Sequence, residues 1–476
     1  MKAYKLLISS LVILGALSSC SNLVDGLNND PNNPTSASYQ NILTGAEVGD
    51  IILQTGETAR RAGIFCGYYT GIQRQHQGFN SYTLTTSDFD NLWDDAFVNT
   101  LRNATVAQES AAVEGINGVT LGITQVIQAM AFGTAASLYG DIPFDEASNI
   151  EIENPVFENQ VSVYGKIQTL LDDAIANLQS GTDRPSSGSE IFFDGDPDSW
   201  IAVAHTLKAR YYMHTKEYDK AFNAASNGIQ INAGSLMAPH GTATDNSNLS
   251  YQFFAVQVRG ADLITSDFMA SLVAPNASVS PDFANYRGNA KTNETARYNF
   301  YFQINDVGTQ PNTINGLAAQ DASAPMVTYQ ENLLILAEAG FRTSGFTVGL
   351  DRLNDFRAYM NAGGYLTNAS PGDIQYDPYV ANDFANGGIE NPDGVPSDNA
   401  LLREIMEERY ITLFGQIEGF NDTRRTLEET VVRVQVVPNS GDALPERFLY
   451  PQSEIDRNSN IPDPIPSLFT PTAVNQ

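Results

Sequence analysis

The chain has 476 residues, with 26 Lys and Arg against 55 Asp and Glu, so its formal net charge is -29. This charge excludes nucleic acid as a partner, because binding it needs clustered cations that displace counterions from the phosphates. The hydrophobic fraction of 42% and the aromatic fraction of 10% suffice for a folded core and exceed what a disordered acidic chain contains.

The first 20 residues have the order of a bacterial lipoprotein signal. A basic start precedes an apolar run from Leu6 to Leu17, which is shorter than the roughly 20 residues that span a bilayer. The run ends in Leu-Ser-Ser-Cys20, which resembles the lipobox in which the Cys is acylated and becomes the mature N-terminus. We predict a signal peptide over 1–19, a lipidated Cys20 that anchors the protein in a membrane, and a tether over 20–37.

From Ser36 onward the apolar residues recur at spacings of three and four, which indicates helices. Val163, Ile167 and Leu171 would line one such helix face. The Ala- and Gly-rich run 123–138 predicts a helix that is buried on most sides. We also expect both tryptophans, Trp93 and Trp200, to pack in the core, because each lies in a helix-like segment.

The middle of the chain contains a repeat signal. Ala209, Tyr212, Tyr218 and Ala221 have the spacing of the small and aromatic positions of a tetratricopeptide helix pair, and a weaker copy occupies 333–353. Isolated pairs cannot bury their faces, so at least three such units should stack. Long segments rich in Asn, Gly, Asp and Pro separate the helical parts, and long structured loops usually carry function.

Several short motifs and their order along the chain resemble those of the SusD/RagB family of nutrient-binding outer-membrane lipoproteins, and most closely its SusD-like branch. In chain order the motifs are Asn29-Asp30-Pro31-Asn32-Asn33-Pro34-Thr35, Tyr139-Gly140-Asp141-Ile142-Pro143-Phe144, Asp194-Gly195-Asp196, Leu336-Ala337-Glu338-Ala339, Phe420-Asn421-Asp422-Thr423-Arg424-Arg425 and Arg447-Phe448-Leu449-Tyr450-Pro451.

The resemblance implies a mainly α fold, in which tetratricopeptide-like helix pairs form one half and a loop-rich half with few short strands binds the ligand. It implies one SusD-like domain over 38–476 and a location at the outer membrane, facing outward. The implied function is to capture oligosaccharides or polysaccharides without chemistry and to pass them to a SusC-type TonB-dependent transporter.

Capture of a neutral glycan would need aromatic planes beside hydrogen-bonding side chains, because sugars present apolar C–H faces and hydroxyl edges. The candidates are aromatic residues in polar segments without helical periodicity. They are Phe79, Tyr82, Tyr286, Tyr298, Tyr301, Tyr376 and Tyr379. The strong negative charge repels polyanions, so a neutral glycan is the expected ligand.

Enzyme signatures are missing from the sequence. It has no G-x-S-x-G elbow, P-loop or H-E-x-x-H motif, and the four His lack zinc spacing. Asp194, Asp196 and Asp198 imitate the start of a calcium loop, but Ser199 stands where Gly is needed, so a helix cap is favoured. We expect no enzymatic activity and no cofactor, while a structural calcium ion elsewhere in the acidic loops stays open.

Three further side chains have structural interpretations. Cys66 should be a buried thiol, because a lipidated Cys20 leaves it without a disulfide partner. Arg424 and Arg425 should pair with the plentiful carboxylates. Two other functions remain as alternatives: a tetratricopeptide-like envelope scaffold that binds a protein or peptide, and, more weakly, a surface hydrolase.

Overall fold

The computed structural model describes residues 37–275 and 285–476. The predicted signal peptide, Cys20 and all but the last residue of the predicted tether lie outside these residues. Helices supply most of the regular structure, and the strands are two to four residues long. The mainly α fold with few short strands is therefore confirmed.

The helices are α1 (Tyr39–Thr55), α2 (Glu57–Phe65), α3 (Arg74–Asn80), α4 (Asp90–Asp94), α5 (Asn103–Val113), α6 (Val119–Tyr139), α7 (Gln160–Gln179), α8 (Pro197–His214), α9 (Tyr218–Ala225), α10 (Leu249–Tyr251), α11 (Asp267–Val273), α12 (Thr295–Tyr301), α13 (Tyr329–Ser344), α14 (Phe346–Asn361), α15 (Ser397–Thr412), α16 (Glu418–Arg425) and α17 (Gln452–Arg457). Two π-helical segments, Asp95–Arg102 and Gln252–Val256, directly continue α4 and α10.

The strands form two-stranded antiparallel ladders rather than one sheet. They are β1 (Tyr69–Gly71), β2 (Ile142–Pro143), β3 (Phe157–Glu158), β4 (Leu236–Ala238), β5 (Leu263–Thr265), β6 (Thr292–Asn293), β7 (Phe302–Asn305), β8 (Gly308–Pro311), β9 (Ala324–Val327) and β10 (Gln375–Tyr376). The pairs are β1 with β5, β2 with β3, β4 with β9, β6 with β10 and β7 with β8. Each ladder joins two segments of the chain that lie between helices.

Helices packed side by side form an array along the order α5, α6, α7, α8, α9, α13 and α14. The two predicted tetratricopeptide-like pairs are confirmed as α8 with α9 and α13 with α14. Ala209 and Ala221 are buried in one small cluster between their helices. Close approach of α6 to α7 depends on Gly122, where an added Cβ would lie 2.6 Å from the Leu178 side chain.

Helix α6 is long and apolar enough to cross a membrane, but 89% of its apolar window is buried inside the protein. It is therefore a core helix, as its sequence predicts. It ends at Gly140, whose φ of 89° is a left-handed conformation that favours glycine. A hydrophobic core of residues from Leu43 to Leu468 surrounds it.

Most of the structural interpretations of single residues are confirmed. Trp93 and Trp200 are 4% and 0% exposed, and Cys66 is a buried free thiol. Asp196 caps α8 by accepting a hydrogen bond from the Ser199 backbone N–H at 3.0 Å. Within 37–275 and 285–476, no three His, Cys, Asp or Glu side chains are placed to hold a metal ion, so calcium stays an open expectation.

The prediction for the arginine pair is confirmed at one position and wrong at the other. Arg425 donates to both carboxylate oxygens of Glu338 at 2.6 and 2.5 Å and to Asp422 at 2.8 Å. Arg424 instead donates to the backbone carbonyls of Ser137 and Glu446 at 2.8 and 2.9 Å. It thereby joins α16 to the carboxyl end of α6, and its burial lowers the pKa of its guanidinium to about 10.

A buried charge cluster, the Arg287 cluster, contains two arginines and three glutamates: Arg287, Arg297, Glu294, Glu404 and Glu408. Arg287 donates to Glu404 at 2.5 Å, and Arg297 donates to Glu408 at 2.7 Å. Arg357 also lies 4.0 Å from Glu404, and Glu407 lies 3.7 Å from Arg287, so four carboxylates face three guanidinium groups and one carboxylate is poorly compensated. Burial raises the pKa of Glu404 to about 8, although Arg287 opposes this shift.

The raised pKa of Glu404 predicts a stability that falls as pH rises. Between about pH 4.5 and pH 8 the Glu404 carboxyl is protonated in the folded chain and ionised in the unfolded chain. The free energy of unfolding therefore falls as pH rises through this range. A single such proton contributes a slope of at most about 1.4 kcal/mol per pH unit. Glu404→Gln should flatten the fall in unfolding free energy, measured by chemical denaturation between pH 5 and pH 8.

The matched control is Glu428→Gln, because Glu428 is an exposed glutamate whose removal should leave the slope as in the parent chain. Equal slopes for Glu404→Gln and Glu428→Gln would contradict the assignment of the proton to the Arg287 cluster.

Candidate functional site

Both π-helical segments border the same surface depression. Asp95, Asn99, Gln252 and Phe253, two from each segment, lie in its wall. A π turn holds one more residue than an α turn, is rare, and occurs frequently at functional sites because it redirects side chains. The Thr100 hydroxyl reinforces the first segment by donating to the Asp95 carbonyl at 2.8 Å. This coincidence of two uncommon turns marks the depression as the candidate site.

The central depression, of about 520 Å³, continues into a neighbour on each side, of about 330 and 590 Å³. It shares Asp94 and Val98 with the smaller neighbour, and Ile52, Leu249 and Gln252 with the larger. Together they form one open groove, which we call the π groove. Each part has the volume of a small-molecule site, about 300–1,000 Å³.

Helix α1 approaches the first π segment very closely at Gly49. A Cβ on Gly49 would lie 2.3 Å from the Asn99 carbonyl oxygen, so only glycine permits this packing. The next glycine towards the N-terminus of the same helix, Gly45, has open space around its Cα. The sequence of α1 therefore contributes directly to the position of Asn99 in the groove.

The middle of the π groove is polar and mainly acidic. Glu57 accepts a hydrogen bond from Arg61 Nε at 2.9 Å. Burial alone would raise the pKa of the Glu57 carboxyl, but the charges of Arg61 and Arg60 hold it below its usual value. Asp95 accepts from the Asn99 amide at 2.9 Å. Burial, together with the Glu57 and Asp94 charges, raises the pKa of Asp95. Both acids thus already interact with neighbouring side chains.

An arginine covers the aromatic ring in the groove wall. The Arg60 guanidinium lies over the Phe253 ring, 4.6 Å from its centroid, in a cation–π contact. Among the described residues, Arg60 Nε is buried without a hydrogen-bond partner. Burial lowers the pKa of this guanidinium, although Glu57 opposes the shift. Arg60 therefore offers an unsatisfied N–H donor beside the ring.

The two ends of the π groove are more apolar. At one end Phe97, half-buried, stacks on Trp93 with centroids 4.2 Å apart, and Ile150 is 76% exposed. At the other end Ile51 and Ile191 form the wall, beside His240. Burial lowers the pKa of His240, which keeps this imidazole neutral at pH 7. Apolar walls with a few polar groups suit a ligand that has both C–H faces and hydroxyl groups.

The predicted aromatic residues lie elsewhere, and five of them are buried. Phe79, Tyr298, Tyr301, Tyr376 and Tyr379 are 0–5% exposed. Tyr376 donates to the buried carboxylate of Glu294, and Tyr379 donates to the half-buried carboxylate of Glu390. Phe79 stacks on Phe65 under the Arg61 guanidinium. These rings pack beneath the loops. The polar residues around them in the sequence therefore do not predict that they are buried.

Tyr82 and Tyr286 are the two predicted aromatics that remain half-exposed. The Tyr82 hydroxyl accepts from the Asn439 backbone N–H at 2.9 Å, and that of Tyr286 accepts from the Glu294 backbone N–H at 3.3 Å. Tyr301 lines a separate cavity described below. A role in glycan binding stays a prediction for all seven residues.

The sequence reasoning missed the residues of the π groove. Asp95 and Asn99 lie in a stretch with ordinary helical periodicity, and Gln252 and Phe253 follow a three-residue helix. The available signal was Gly49 within an otherwise good helical segment, because an isolated glycine there commonly has a packing reason. This glycine would have indicated that α1 makes a close contact, but not which residue it contacts.

A profile of the family described as "Starch-binding associating with outer membrane" matches residues 31–451. The chain belongs to the SusD-like family. This confirms the resemblance drawn from the ordered motifs. No curated protein matches the sequence.

Several solved structures share the fold. A SusD/RagB family protein from Bacteroides thetaiotaomicron aligns with a TM-score of 0.67 and 21% identity, covering 89% of this chain and 95% of that one. A SusD homologue from Bacteroides fragilis has a TM-score of 0.65 and 17% identity, covering 93% and 100%. A chitin-binding SusD homologue from Flavobacterium johnsoniae has a TM-score of 0.64 and 16% identity, covering 91% and 98%.

The contact at Gly49 predicts opposite effects for two glycine substitutions in α1. Gly49→Ala should destabilise the fold by about 1–3 kcal/mol, because the new methyl group overlaps the Asn99 carbonyl. Gly45→Ala should stabilise it by about 0.5–1 kcal/mol, because alanine is the better helix former where space is open. Urea denaturation of both variants measures the difference. Stabilisation by both would show that α1 does not press against the π segment.

Proposed function

We propose that this protein is a lipid-anchored glycan-binding protein of the outer membrane that captures neutral oligosaccharides in the π groove. The family carries this proposal: its description names starch binding and the outer membrane, and the match covers 31–451. Chitin binding by a homologue with the same fold adds support for a glycan ligand.

The shape and lining of the π groove suit a polymer segment. An open groove with three adjoining depressions admits a chain that enters and leaves at its ends. Exposed amide and carboxylate groups, such as Asn91, Asp94 and Asn99, can pair with hydroxyl groups along the chain. A peptide helix would instead need a continuous apolar stripe, which makes the scaffold alternative the weaker one.

A neutral ligand follows from the charges. The whole chain has a net charge of -29, and Glu57, Asp94 and Asp95 add a local negative field in the groove. An anionic sugar would have Arg60, Arg102 and Arg457 as counter-charges in the groove; Arg60 already lies on Phe253, and Arg102 already donates to the Ser148 carbonyl at 2.9 Å. Uncharged hydroxyl groups pair with these acceptors without repulsion.

We infer binding without bond cleavage. A glycosidase needs one carboxyl group as acid and a second, on the other side of the scissile bond, as nucleophile or base. Here Glu57 is engaged by Arg61 and Gln75, and Asp95 by Asn99. These contacts suit hydroxyl recognition by fixed acceptors.

Location and delivery complete the proposal. Cys20 would carry the lipid that holds the protein at the outer membrane, facing outward, and residues 20–37 would give it reach. The bound glycan would then pass to a SusC-type TonB-dependent transporter. The family description, which refers to association with the outer membrane, supports this arrangement.

Affinity gel electrophoresis with neutral and acidic polysaccharides, using residues 21–476, tests the proposal. At least one neutral glycan should retard the protein, with no release of reducing sugar. Asp95→Ala/Asn99→Ala should weaken that retardation at least tenfold, about 1.4 kcal/mol, because two groove acceptors are lost.

The matched control is Asn223→Ala, an exposed amide on α9 in the helical array, which should bind as the parent chain does. Retardation that survives in the double variant would place the glycan outside the π groove. Release of reducing sugar would favour the hydrolase alternative.

A further inference from the structure

A second, partly enclosed cavity of about 350 Å³ lies in the loop-rich half, between the carboxyl ends of α12 and α15 and the loop before β9. Among the described residues, its lining and that of the π groove have no member in common. Its volume is near the lower end of the range for small-molecule sites, which suits a single ring.

Aromatic rings form the walls. Tyr301 and Tyr365 lie nearly parallel, with an interplanar angle of 20° and centroids 6.2 Å apart, and their hydroxyl groups are joined by a hydrogen bond of 2.7 Å. Phe414 packs against Tyr301 at 5.3 Å, and Phe300 against Tyr365 at 6.0 Å. Such planes match the C–H face of a sugar or another flat apolar surface.

Two amide oxygens give the cavity its polarity. Gln330 and Gln416 are 5% and 6% exposed and both line it. Among the described residues, neither Gln330 Oε1 nor Gln416 Oε1 has a hydrogen-bond partner. The large majority of buried polar atoms in folded proteins are hydrogen-bonded, so two unpaired acceptors in one cavity point to a donor from outside the chain.

The charge of the lining restricts that donor to a neutral group. Asp321, the charged residue of the described lining, is exposed, whereas the interior residues are aromatic, aliphatic, amide or hydroxyl-bearing. A buried cation would have only this exposed carboxylate among the described lining, and a buried anion would be repelled by the two amide oxygens. Hydroxyl groups donate without carrying charge.

We propose that this cavity binds a neutral monosaccharide, which stacks on the aromatic walls and donates two hydroxyl hydrogen bonds to Gln330 and Gln416. This inference rests on the cavity itself and not on the π groove. The protein would thus have two carbohydrate sites, an open one for chain segments and an enclosed one for single sugar rings.

Isothermal titration of residues 21–476 with D-glucose, D-galactose and N-acetyl-D-glucosamine, and with D-glucuronate as an anionic probe, tests the proposal. At least one neutral sugar should bind saturably, and glucuronate should bind at least tenfold more weakly. Gln330→Met/Gln416→Met keeps similar side-chain volumes, removes both acceptors and should weaken sugar binding at least tenfold. Ala322→Leu, which fills the cavity and retains both amides, should do the same.

The control is Gln179→Met, the same exchange at an exposed residue at the end of α7, outside both the cavity and the π groove, which should leave sugar affinity unchanged. Retardation by polysaccharide should survive in the double variant, so a failure here is distinct from a failure of the groove proposal. The cavity proposal is overturned if no neutral sugar binds, or if Gln179→Met weakens binding as much as the cavity variants. Unchanged affinity in Ala322→Leu would also overturn it.

Discussion

The fold depends on buried pairs between cations and carboxylates that tie the helices together. Arg210 on α8 donates to both oxygens of Glu331 on α13 at 2.6 Å, and Arg409 on α15 donates to Asp422 on α16 at 2.8 Å. Arg425 on α16 holds Glu338 on α13. Removing one member of such a pair leaves an uncompensated buried charge and commonly costs about 3–5 kcal/mol. Several cations of this acidic chain therefore lie where helices meet.

The irregular π turns lie outside the helices that these pairs join. The helical array is fixed through α6, α8 and α13, while the π groove lies where α1 meets the segments after α4 and α10. A rigid body with a wide, polar groove at its edge suits binding of a flexible polymer, because the acceptors are held in place before the ligand arrives. The net charge of -29 would repel an anionic ligand.

Sequence predicts the parts of this structure that depend on local spacing. Helix pairs, the buried helix α6 and the cap at Asp196 follow from periodicity and capping rules, which act within a few residues. The π segments do not, because the close contact at Gly49 involves a residue 50 positions away. Tyr376 and Tyr379 show the same limit, since the carboxylates they bind, Glu294 and Glu390, come from other segments. Neither partner can be identified from spacing alone.

Hydrogen–deuterium exchange would show directly whether both π segments contact the glycan. The protein would be compared with and without a saturating neutral oligosaccharide taken from the polysaccharide that retards it. We expect slower exchange in 91–102 and 249–257, with the α8–α9 pair unchanged. Protection confined to the helical array, with none in either π segment, would contradict this expectation.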